Sequence, residues 1–86
     1  MTATNYRYDD RILDALAGHG LVPLSHTPPT VLRDAVRDLY KYEIRRLRES
    51  LLAGRIVKRD YAAHVIALRR RYPILSVPVE LWVVRD

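Results

Sequence analysis

Between Thr30 and Gly54 the chain runs for about two dozen residues without proline or internal glycine, rich in Leu, Arg, Ala and Glu. Both ends are punctuated. Thr27 with Pro28 and Pro29, or Thr30 itself, supplies a start signal, and Gly54 supplies a left-handed stop. The stretch therefore reads as one long helix. At about 1.5 Å per residue it measures about 36 Å. A compact chain of this size has a radius of gyration near ~12 Å and a diameter of about 30 Å. A helix that spans or overshoots its own domain favours an interaction module.

The 86 residues allow one domain, 1–86, with a single small core. Its aromatic set is six Tyr and one Trp with no Phe, so every ring carries a polar group suited to the margin of a core or to an interface. Absence of cysteine excludes disulfides and thiolate chemistry and fits a reducing cytoplasm. Met1 to Asp10 contains no apolar signal-peptide region, and no apolar run is long enough to span a bilayer. The expectation is a cytoplasmic protein without membrane association.

Taken in order, residues 1–8 read as a polar, frayed N-terminus from which Tyr6 and Tyr8 can fold back onto a core. Asp9 and Asp10 then cap a short amphipathic helix through Ile12, Leu13, Leu16 and Ala17 that stops at Gly18. His19 to Pro29 is a connector with a short extended apolar piece at Leu21, Val22 and Leu24. After the long helix, Gly54 to Val57 makes a turn, with Ile56 and Val57 as an apolar plug. A third helix is expected from about Lys58 to Tyr72, stopped by Pro73 and packed antiparallel on the second as a hairpin.

From Ile74 the periodicity changes. Val77, Val79, Leu81 and Val83 alternate with Pro78, Glu80, Trp82 and Val84, which predicts an extended or β-like tail over residues 74–86. Its partner would be the Leu21 to Leu24 piece or the same segment of a second subunit. Otherwise it is an arm packed on the hairpin. The expected fold class is thus mainly α: a short N-terminal helix, a long helix in a hairpin with a third, and this tail.

Charge is unevenly placed. Arg33 to Arg71 holds twelve Lys or Arg against five Asp or Glu, while the rest of the chain holds three against five. On a helical wheel, Leu32, Val36, Leu39, Tyr40, Ile44, Leu47 and Leu51 form one apolar stripe of the long helix. Arg37, Lys41, Arg45 and Arg48 recur beside one flank of it as a continuous basic edge. With Arg55, Lys58 and Arg59 in the turn, they form the candidate surface for anions or nucleic acid. Glu43 falls near the centre line of the apolar stripe, so it is the candidate buried polar residue, tied to Arg46 at i+3 or to a tyrosine hydroxyl.

Enzyme chemistry finds little support. His19 and His26 sit in a loop, His64 sits at the edge of the third helix's apolar stripe, and no HExxH or His pair at metal-ligand spacing occurs. Ser25 and His26 are neighbours without a GxSxG elbow, and the three glycines are too scattered for a phosphate loop. No catalytic residue, metal or cofactor is expected.

The opening helix and strand-like tail are similar to parts of a winged helix, but one uninterrupted helix stands where that fold has two short ones. The helix, Gly54, Ile56 and Tyr61 pattern resembles the short helical hairpin of the SHOCT type over about thirty residues. No function is carried over from that resemblance. Ile66 lies away from the Tyr61, Val65, Leu68 and Tyr72 stripe among small alanines; with Trp82 it is the candidate interface. The reading is a non-enzymatic protein-interaction module, self-associating through helices as a homo-oligomer or binding another protein. The alternative is a nucleic-acid-binding protein using the basic edge.

Overall fold

In the computed structural model, which describes residues 5–84, the uninterrupted stretch forms one helix, α2, Pro29–Leu52, of 24 residues. It follows α1 (Asp10–Gly18) and precedes α3 (Lys58–Arg70) and two 3-10 turns, Pro73–Ser76 and Val79–Leu81. The architecture is mainly α, with α2 and α3 packed together as a hairpin and no sheet among the described residues.

Capping explains the element boundaries. The Asp9 side chain accepts from the Arg11 N–H at 2.9 Å, satisfying one of the free donors at the start of α1. Gly18 is not the stop, because it is still helical. Gly20 takes the left-handed conformation at φ 76°, its N–H reaching Ala17 O and the Leu21 N–H reaching Leu16 O, each at 2.9 Å. That pair of bonds is a Schellman motif. A second closes α2, where Gly54 also has φ 76°, with Gly54 N–H to Leu51 O at 3.1 Å and Arg55 N–H to Ser50 O at 2.9 Å. Pro29 opens α2 at a position where the missing N–H costs nothing.

The core gathers at one end. Tyr8, Ile12 and Leu16 meet Leu32 and Val36 from the first two turns of α2, Leu68 and Tyr72 from the end of the hairpin, and Ile74 and Trp82. Farther along α2 the stripe continues as the half-buried Tyr40, Ile44, Leu47 and Leu51, with Leu39 at its exposed edge. The result is a base and an arm. Extents of 55 × 20 × 17 Å and a radius of gyration of 16.1 Å exceed the ~12 Å of a compact chain of this length.

Further expectations are corrected. The tail is not β-like: Pro73 and Pro78 set up tight turns, and a single antiparallel bridge, Tyr8 to Val83, is its only ladder contact among the described residues. That bridge joins the tail to the N-terminal segment and not to Leu21–Leu24, through Asp9 N–H to Trp82 O at 2.9 Å and Val84 N–H to Arg7 O at 2.7 Å. The N-terminus is not frayed from residue 6 onward, since Tyr6 N–H donates to Ser25 O and the Tyr8 hydroxyl to Thr27 O; residues 1–4 lie outside the described ones. Trp82 is no interface residue: it is 0 % exposed, with Nε1 donating to Val77 O at 3.0 Å. At the hairpin turn Ile56 is half-buried but Val57 is exposed, so the expected plug is half made.

Candidate interaction surface on the helical hairpin

Two packed helices leave a cleft on each side of their contact line, and the side chains flanking the two apolar stripes decide what each cleft offers. On one side, Tyr42, Glu43 and Arg46 of α2 face His64 and Ala67 of α3 across an open cleft of about 390 Å³. Its acid is neutralised within the chain: Glu43 accepts from Arg71 Nη2 at 3.1 Å and from the Tyr72 hydroxyl. The Arg46 guanidinium lies 5.9 Å from the Tyr42 ring centre, a cation–π contact.

Tyr72, a core residue, is a hub of contacts between the base and the hairpin. His19 stacks on its ring at 4.3 Å between centroids and 14° between planes, and Tyr40 meets it edge-on at 5.2 Å. Burial and the hydrogen bond to Glu43 push its hydroxyl up to about 12, because both disfavour the phenolate. Glu43 is thus held by a tyrosine and an arginine, as its place in the stripe requires, though the arginine is Arg71 and not Arg46. Its side chain is 30 % exposed, which makes it a half-buried group at the margin of the hairpin.

The opposite side differs in kind. Tyr40 and Ile44 of α2 and Tyr61 and Val65 of α3, all half-buried, form the floor of an open cleft of about 660 Å³. Its rim is cationic. Lys41 and Arg45 stand on the α2 lip and Arg69 on the α3 lip, where its Nε donates to the Tyr40 hydroxyl at 3.4 Å. Among the described residues no carboxylate pairs with any of these three.

The expected basic edge is partly gathered here. Lys41 and Arg45 line the cleft; Arg37 and Arg48 extend the same helical row, Arg37 lying 3.9 Å from Asp34. Arg55, Lys58 and Arg59 are exposed around the far turn, outside the cleft. Ile66, 49 % exposed, stands three residues before Arg69 on the same side of α3 but does not line the cleft. Sequence reasoning placed Tyr40, Tyr61, Val65 and Arg69 on their helices but did not see them converge, because that depends on the register of α2 against α3.

Of the histidines, His26 is exposed, His64 faces the first cleft, and His19 is drawn in by its stack on Tyr72. Among the described residues no group of three or more His, Cys, Asp or Glu could hold a metal ion, and no helix is long and apolar enough to cross a membrane. No protein-family model, curated protein or solved structure matches the chain.

Proposed function

We propose that the protein is a small, non-enzymatic protein-interaction module that self-associates through its projecting hairpin. One observation carries this reading: beyond the base, α2 and α3 have mainly each other to pack on, and Leu39 and Tyr42 remain exposed on one flank of the arm. Exposed apolar residues also occur on the base, at Val22, Leu24 and Leu81, but on the arm they flank a helix pair with no third layer, and such a face favours a partner. We assign the self-contact to the Leu39 and Tyr42 flank. Glu43 and Arg71 are paired there, whereas two copies of the basic row brought face to face would repel. The cytoplasm is the proposed location, in keeping with a cysteine-free chain.

Sedimentation equilibrium over about a hundredfold dilution through the micromolar range tests the reading, with a reversible dimer as the expected result. Leu39→Glu with Tyr42→Glu should give a monomer of unchanged helicity. A monomeric mass for the parent across the series, with helical circular dichroism intact, would remove self-association.

A second reading is nucleic-acid binding, favoured by the absence of carboxylate partners around Lys41, Arg45 and Arg48 among the described residues. It predicts ultraviolet absorbance from nucleic acid in the protein as purified, and affinity that falls steeply with salt. Replacing Arg37, Lys41, Arg45 and Arg48 together by Gln should then reduce the salt slope by up to about four. Absence of binding to any DNA or RNA at low salt would end this reading.

A further inference from the structure

Two basic features of separate helices, the Lys41 and Arg45 edge of α2 and Arg69 of α3, border the same groove. Its floor is Tyr40, Ile44, Tyr61 and Val65, and its lips carry Lys41 and Arg45 on one side and Arg69 on the other. An apolar floor gains by losing water, and cations without a carboxylate partner on both lips gain by meeting anions. An occupant that satisfies both at once has an apolar ridge flanked by carboxylates.

The secondary structure of that occupant follows from the groove's shape. Two antiparallel helices offer a straight trough along their length, and a third helix lying in it, about 8–10 Å from each axis, completes a three-helix bundle. No sheet edge is available among the described residues for a strand to extend. From Arg37 to Arg48 the row climbs about 16 Å, enough to flank about three turns of a guest helix. Nucleic acid fits the cations and the rings of Tyr40 and Tyr61 but leaves Ile44 and Val65 without a purpose, and a second copy of this hairpin would set basic row against basic row.

We infer that the Lys41–Arg69 groove docks an acidic amphipathic helix of a different protein, with apolar residues at i, i+3 or i+4, and i+7 on the floor and Asp or Glu against the two lips. The site lies on the side of the hairpin away from Leu39 and Tyr42, so it goes beyond the self-association proposed above and does not require it.

The test uses the full chain and a fluorescein-labelled peptide of about 20 residues, with Leu at heptad positions a and d and Glu at e and g. Fluorescence anisotropy should show saturable binding. The same peptide with Gln for Glu, and a scrambled peptide of identical composition, should each bind at least about tenfold more weakly. Lys41→Glu with Arg45→Glu should also lose about tenfold, and the lip variant Arg69→Glu about fivefold, with helicity and mass unchanged. Lys41→Gln with Arg45→Gln serves as the milder pair, retaining helix propensity.

Equal binding of the ordered and scrambled peptides would overturn the inference, as would variants that bind like the parent. So would an oligonucleotide of about 20 nucleotides that binds where the ordered peptide does not. A monomeric protein that still binds the ordered peptide would sink self-association and leave the groove standing; a dimer that ignores the peptide would do the reverse.

Discussion

The Tyr72 hydroxyl, from the turn after α3, donates to the Glu43 carboxylate at the middle of α2. This bond fastens the arm to the base at the level where the buried core gives way to the half-buried hairpin. The acid interrupting the apolar stripe is therefore the acceptor of a cross-hairpin tie, with Arg71 as its second partner.

Because Glu43 keeps 30 % of its side chain in water, its removal should cost less than that of a fully buried pair. Glu43→Ala is expected to destabilise by about 1–2 kcal/mol in urea unfolding, and Glu43→Leu by less, since leucine continues the stripe. A double-mutant cycle with Tyr72→Phe should return a coupling of about 0.5–1.5 kcal/mol. Zero coupling would show that the bond contributes nothing to stability.

Alkaline pH should weaken the fold. The Tyr72 hydroxyl is raised in the folded state from about 10 to about 12; its contribution is complete below the unfolded value and is lost as pH rises through the folded one. Burial raises the Tyr8 hydroxyl as well, with the same sign. The Tyr72 contribution is therefore lost between about pH 10 and pH 12. Urea midpoints across that window measure the loss, and Tyr72→Phe should flatten it relative to the parent. Parallel curves for the two proteins would contradict the assignment.

Three glycines give a contrast that does not depend on packing, since nothing lies within 4 Å of a Cβ built at any of them. Gly18 is helical, so Gly18→Ala should stabilise by about 0.5–1 kcal/mol. Gly20 and Gly54 hold φ 76°, and alanine at either should destabilise by about 1–2 kcal/mol. Thermal unfolding of the three single variants checks the order, which reverses if Gly18 is the true stop.

Trp82 should be the costliest single truncation. Its ring is wholly buried and its Nε1 donates to Val77 O, so Trp82→Ala opens a cavity and strands a carbonyl. A loss of about 3–5 kcal/mol is expected, a large share of a small domain's stability. The parent's tryptophan emission should be blue-shifted and move red in urea together with the helical signal. Red emission in the native protein would place Trp82 outside the core.

Local chemistry was legible in the sequence wherever a feature acts within a few residues. Asp9 as a cap, Gly54 as a stop and the long helix between prolines and glycine all follow from backbone rules. Gly18 misled because two glycines stand one residue apart, and which of them turns left-handed depends on where Leu21 reaches back to Leu16. The tail misled because apolar residues at every second position also suit two short turns, and Pro73 and Pro78 tip the choice. In the candidate site, the basic edge and Ile66 could be read from helix spacing. That Lys41, Arg45 and Arg69 line one groove could not, because no single-helix pattern encodes the register between α2 and α3.

The clasp between Tyr8 and Val83 also sets the protein's reach. Since Arg7 and Val84 are hydrogen-bonded to each other, the two ends of the described chain are held close together on the base. The Gly54 turn lies at the other end of a molecule 55 Å long. A tether at either end would leave the arm pointing outward like an oar from its lock, sweeping a volume set by its own length.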